Sequence, residues 1–197
     1  MALNLKRREF FRSSIHIACS ATIPLTITAG KPLVLILIMV VSTLYCVSEE
    51  FRARGRLLPV IGRITLKACR SGEDKPPILR PLYLAVGIAV SLTFFPEPVS
   101  YAAVAVLTLG DGGSSLIGSW IGRVKLPFNP NKTLEGSLAG LVLASAGTIP
   151  LVGLTPGLAA ACLGMVVEAL PLPVDDNLTV PLASAALLLS LTWLSLI

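Results

Sequence analysis

The sequence predicts an all-α polytopic membrane protein, and three observations carry that prediction. Only 14% of the 197 residues are charged while 54% are hydrophobic. A soluble domain carries roughly 25% charged residues to face water. The mean hydropathy is +0.81. The apolar residues also fall into runs close to the roughly 20 residues a helix needs to cross the hydrocarbon layer. These features exclude a soluble single-core domain, a disordered chain and a nucleic-acid-binding tail. The expectation is a single integral membrane domain over 1–197, with no nucleic-acid partner and no room for a separate soluble domain.

Seven membrane-crossing helices are expected near 12–29, 32–49, 78–95, 98–120, 134–152, 155–171 and 178–197. Proline and glycine mark the breaks, at Gly30-Lys31-Pro32, Pro96-Glu97-Pro98, Pro127 to Pro130, Thr155-Pro156-Gly157 and Pro171 to Pro173. Such residues end helices because proline lacks an N–H and glycine tolerates reversed backbone. The 155–171 segment is short and flanked by proline. Between the second and third segments, Leu57, Ile61, Ile64 and Ala68 recur at helical spacing beside a stripe of Arg56, Arg63, Lys67 and Arg70. That pattern predicts a basic amphipathic helix near 57–70 lying at the membrane surface.

Charge placement orients the chain. Fifteen of the sixteen basic residues, all but Lys31, fall before the first segment or in loops of one parity. The positive-inside rule then puts the N-terminus and these loops in the cytoplasm. A cleavable signal peptide would also have a basic start and an apolar stretch. His16 and several hydroxyl residues interrupt that stretch here. Cys19, Cys46, Cys69 and Cys162 stand singly and suit packing rather than zinc or redox chemistry.

Ionisable groups inside apolar segments are costly and mark function. Three stand out: Asp111, Glu135 and Glu168. Asp175, Asp176 and Asn177 follow in the next loop of the cytoplasmic side. Oxygen ligands gathered at one membrane face suit a hard cation such as Mg²⁺, which neutralises nucleotide phosphates. Asp111 sits among Gly110, Gly112 and Gly113, which either let a ligand approach the backbone or let helices pack closely. Thr133 is a natural N-cap with Lys132 before it and Glu135 in the first turn, followed by Gly136 and Ser137. A helix start of this kind doubles as an anion site, although the GxxxxGK[ST] pattern is absent.

Gly110-Asp111, then Lys132-Thr133-x-Glu135-Gly136-Ser137, then Glu168, then Asp176-Asn177 with Pro181 resemble the CTP-dependent lipid kinase family. That family includes dolichol kinase, phytol kinase and the yeast-type diacylglycerol kinase. The resemblance covers roughly 105–182, in the family's order. More loosely, Glu9-x-x-Arg12-x-x-x-His16 is similar to its basic stretch before a histidine, with Ser13 where a lysine is common. Glu50-Phe51-Arg52 is similar to its acid-x-Arg step.

The resemblance implies transfer of the CTP γ-phosphate to a lipid hydroxyl, of polyprenol or phytol type, at the cytoplasmic face. Asp111 would hold Mg²⁺ or align the hydroxyl. Lys132 would bind phosphate, and Glu135, Glu168 and Asp176 would serve as metal ligands or base. Gly110, Gly112, Gly113, Thr133, Gly136, Ser137 and Asn177 would line the nucleotide site. Arg12, His16, Glu50, Arg52 and Asp175 are further candidates.

Two other functions compete. A CDP-lipid synthase would also use CTP and Mg²⁺ but attack the α-phosphate. The long C-terminal signature of that family, with its paired Asp-Arg, is not seen. A small ion-coupled transporter would use the acids as a pathway, but no inverted repeat is evident. A short chain with few loops points to a prokaryotic plasma membrane, or to the ER or an organelle in a eukaryote.

Overall fold

The structure is a computed structural model that describes residues 2–69 and 77–194. Arg70, Lys75 and the end of the 178–197 segment lie outside the described residues. The chain is helical apart from one small hairpin. α1 (Ala2–Ala18), a 3₁₀ turn (Cys19–Ala21) and α2 (Thr22–Ala29) form one broken run. α3 (Lys31–Ala53) follows Gly30, whose φ of 88° reverses the chain as few other residues can. α4 (Ile61–Ala68) is the amphipathic helix expected near 57–70, shorter at both ends. α5 (Arg80–Phe94) leads to α6 (Val99–Ala105), a π-helical segment (Val106–Asp111) and α7 (Gly112–Ile121). After the hairpin come α8 (Leu134–Val152), α9 (Leu154–Ala169) and α10 (Asp176–Trp193).

One correction follows. Seven membrane-crossing helices are not what the fold contains. Among the described residues, only α3 and α8 are long and apolar enough to cross a membrane. α5 and α9 are apolar but have 15 and 16 residues. The expected first and fourth segments are interrupted by the 3₁₀ turn and the π-helical segment. Hydropathy alone counts apolar runs and does not register such breaks. The expected all-α character holds, with one small hairpin added. β1 (Lys125–Leu126) pairs antiparallel with β2 (Asn129–Thr133), and this hairpin delivers Lys132.

The core forms where α6 and the π-helical segment run through the centre. Val104, Ala105, Val106 and Leu107 are fully buried there, against Ile88, Leu92, Ala144 and Ala161. α7 and α8 cross closely on glycines. A Cβ at Gly136 would stand 2.7 Å from the Ser114 carbonyl oxygen, and one at Gly140 would stand 2.7 Å from that of Gly110. Small residues thus let the two backbones meet, as in small-xxx-small contacts. α3 is different: only 22% of its most apolar stretch is buried.

Candidate functional site

The site is assembled from four separate elements. Asp111 ends the π-helical segment, a helix form enriched at functional sites. Lys132 is on β2, Glu168 is near the end of α9, and Asp176 opens α10. The Lys132 ammonium lies 3.5 Å from Asp111 Oδ1 and 3.3 Å from Asp176 Oδ2, and it contacts Glu168 Oε1 directly. Glu168 is 1% exposed and also accepts a 2.6 Å hydrogen bond from Ser114 Oγ. Its second oxygen is buried without a hydrogen-bond partner. Three carboxyl groups thus face one ammonium.

Burial by itself would depress the Lys132 pKa. The charges of Asp111, Glu168 and Asp176, and the hydrogen bond to Glu168, outweigh that and hold it above the ordinary lysine value. Asp175 is pushed up, first by burial and then by the neighbouring Asp176 charge. It caps α10 by accepting from Asn177 N at 3.1 Å, and it holds the Asn177 amide by a 2.7 Å hydrogen bond from Nδ2. This fixes the amide with its Oδ1 buried and unpartnered.

Two cavities of opposite character meet at this cluster. The polar one, of about 180 Å³, is lined by Arg12, Ser115, Ser119, Lys125, Lys132 and Ser137, among others. Arg12 reaches Ser115 Oγ at 3.4 Å and pairs with Glu9 at 2.8 Å. The Ser137 hydroxyl is buried without a partner. The apolar cavity, of about 420 Å³, is lined by side chains of α3, α4 and α5, with Arg12, His16, Asp111, Asp176 and Asn177 at its polar end. His16 Nδ1 stands 3.6 Å from Asp111 Oδ2. An open cleft of about 660 Å³ reaches Lys132, Glu168 and Asp176 from beside the 170–175 loop.

Other residues singled out from the sequence are placed elsewhere. Thr133 is the N-cap of α8, accepting from Gly136 N at 3.2 Å, and Thr133, Gly136 and Ser137 line the polar cavity. Glu135 does not join the cluster. Its carboxylate accepts from Val124 N at 3.1 Å and 3.2 Å, clasping the bend that leads into the hairpin. Gly110, Gly112 and Gly113 do not line the polar cavity. They pack against Met165 and Ala144, His16 and Ile17, and Leu143 respectively. Asn177 lines the apolar cavity rather than the polar one.

Glu50 is 61% exposed and pairs with Arg54 at 2.6 Å, away from the cluster. The acid that grips Arg52 is Glu49, through hydrogen bonds of 2.9 Å and 2.6 Å with both groups buried. Its three-residue offset from Arg52 was the available signal, since residues three apart share a helix face. Ser114 carries little signal of its own, standing in a Gly- and Ser-rich stretch. Among the described residues, no group of three or more His, Cys, Asp and Glu side chains gathers as a metal cage.

Comparison with known proteins supports the family resemblance over a segment. A probable phytol kinase 2 of Oryza sativa subsp. japonica, chloroplastic, is 34% identical over 136 residues, covering 58% of this chain and 44% of the relative. The chloroplastic farnesol kinase of Arabidopsis thaliana is 31% identical over 140 residues, covering 61% and 46%. Phytol kinase 1 of the same plant is 27% identical over 134 residues, covering 58% and 44%. The chain thus spans less than half the length of these curated relatives. No family model matches, and no solved structure matches. The relatives are chloroplast proteins by name, which gives the expected prokaryotic plasma membrane no support.

Proposed function

We propose that this chain is a lipid-alcohol kinase lying in a membrane, transferring the γ-phosphate of CTP to the hydroxyl of a phytol- or polyprenol-like alcohol. One observation carries the proposal: a polar cavity rich in cations and hydroxyls meets an apolar cavity at Asp111, Lys132 and Asp176. A donor phosphate and a lipid hydroxyl can approach each other there from opposite sides. The similarity to phytol and farnesol kinases supports the same chemistry. The exposed apolar surface of α3, including Ile36, Met39, Val40 and Val47, supports a location in lipid. The basic residues gathered before α1, between α3 and α5 and around the hairpin support a site at the cytoplasmic face.

Phosphoryl transfer needs positioning and charge neutralisation more than covalent help from the protein. Arg12, Lys125 and Lys132 hold the phosphates in the polar cavity, with the Ser115, Ser119 and Ser137 hydroxyls as further partners. The lipid hydroxyl oxygen forms a bond to the γ-phosphorus, and the bond from that phosphorus to the bridging oxygen breaks. CDP leaves, and the hydroxyl proton passes to the Asp111 carboxylate. Lys132 stabilises the charge that builds on the transferring oxygens.

Mg²⁺ fits this set of donors. It binds through one or two carboxylates together with substrate phosphates, and so requires no complete protein cage. Asp176 would hold it with the unpartnered Glu168 Oε2 as a further oxygen, which leaves Asp111, on the apolar cavity, to take the hydroxyl proton. Bound there, it would supply neutralisation of phosphate charge.

The test incubates the purified protein with Mg²⁺, phytol or farnesol, and CTP labelled at the γ or the α phosphate. Label in the lipid from the γ position is expected, with loss of transfer on chelation. Label from the α position with pyrophosphate release would make the protein a cytidylyltransferase. No nucleotide consumption with any lipid would refute both.

A further inference from the structure

The apolar cavity has an open side. Its inner end is polar and buried, with Asp111 and Asn177 exposed by only 6% and 4%. Its outer lining is the reverse. Val41, Leu44 and Ile64 line the cavity and yet are 64%, 51% and 42% exposed. Large apolar side chains that line the cavity and are also largely exposed mark its outer side at α3 and α4. The cavity's mouth lies between α3 and α4, and it is continuous with the outer face of α3, where Ile36, Leu37 and Val40 are also exposed.

The two rims of the mouth are built differently. On the α3 side, Tyr45 donates to the Ile78 carbonyl at 2.7 Å and Glu49 accepts from Ile78 N at 2.9 Å. The chain entering α5 is thereby fixed to α3. The other rim is α4, which turns Ile61, Ile64 and Ala68 toward the cavity and leaves Arg63 and Lys67 exposed. Basic groups on that side suit the anionic headgroup region, just above the hydrocarbon that α3 faces.

We infer that this mouth is a lateral portal through which the tail of the lipid alcohol enters from the bilayer and trails back into it. The inference rests on the lipid-alcohol kinase reading for its ligand. Its consequence is a substrate rule: the site reads the hydroxyl and the adjoining part of the tail, and excess length stays in lipid. A closed pocket would impose a maximum length, and an open one imposes none.

The experiment uses the full chain in phospholipid vesicles, with farnesol and a long polyprenol as substrates. Val41→Trp with Ile64→Trp narrows the mouth. The variant is expected to lower kcat/KM for the polyprenol about tenfold and for farnesol by less than about twofold, since the short tail fits inside. An unchanged ratio between the two substrates would overturn the portal. A second measurement needs only the wild-type protein. Two polyprenols carry a photoreactive group, one beside the hydroxyl and one at the far end of the tail. The first is expected to label the cavity lining and the second to label phospholipid. Equal labelling of the protein by both would overturn the portal even where the variant does not fold. Labelling as expected without phosphate transfer to either alcohol would refute the kinase reading and leave the portal standing.

Discussion

The Glu49–Arg52 pair and the Lys132 cluster both bury charge, and they do so on opposite terms. Glu49 accepts two short hydrogen bonds from Arg52 and a third from the backbone N–H of Ile78, so both of its oxygens are partnered. Lys132 faces three carboxylates, and one oxygen of Glu168 has no partner at all. A buried carboxylate with both oxygens partnered serves here to hold the wall of the apolar cavity. Charge out of balance in a cleft is the mark of a site that takes a ligand. The difference separates a structural ion pair from a proposed catalytic one without reference to any relative.

The comparison breaks most visibly at Arg52. Removing one partner of a buried pair strands the other, so Arg52→Ala is expected to destabilise the protein by about 3–5 kcal/mol. Thermal unfolding in detergent measures this, and replacing Glu49 by Leu as well should recover part of the loss. At the unbalanced cluster the effect falls on catalysis. Asp111→Asn and Lys132→Ala are each expected to lower phosphate transfer about 10²–10³-fold. Asp111→Asn should leave the melting temperature unchanged or raised, because it relieves repulsion among the acids. A variant that melts much earlier would make Asp111 a structural residue like Glu49.

Smaller changes sharpen the boundary. Thr133→Ala removes the cap of α8 and is expected to cost about 1 kcal/mol in stability. Its effect on transfer should stay below that of Lys132→Ala, as kcat and the KM for nucleotide together would show. The exposed Glu50–Arg54 pair marks the lower end. Glu50→Ala is expected to change stability by less than about 0.5 kcal/mol and transfer not at all. A large loss of transfer would return Glu50 to the site.

Local patterns were legible in one dimension wherever the physics is local. Thr133 caps its helix as its type and position require, and α4 lies where the apolar and basic stripes run together. Acid choice on α3 was legible too, but only by spacing: Glu49 stands three residues before Arg52, and Glu50 four before Arg54. The glycines around Asp111 left two possibilities open, ligand approach or close packing. Distances to Met165, His16 and Leu143 decide for packing, because those partners lie far away in the chain.

The sequence by itself determined that Asp111, Glu135 and Glu168 are conspicuous, since a charge among apolar neighbours is costly wherever the chain folds. It also determined a helical, apolar chain and the motif order shared with lipid-alcohol kinases. Only the tertiary structure decided that Asp111 and Glu168 share one ammonium with Asp176 while Glu135 turns away to Val124. It alone decided that α3, α4 and α5 enclose an apolar cavity ending at that cluster. Convergence of residues from four elements depends on helix crossings and on where the π-helical segment re-aims Asp111, and no periodicity in the chain encodes those distances.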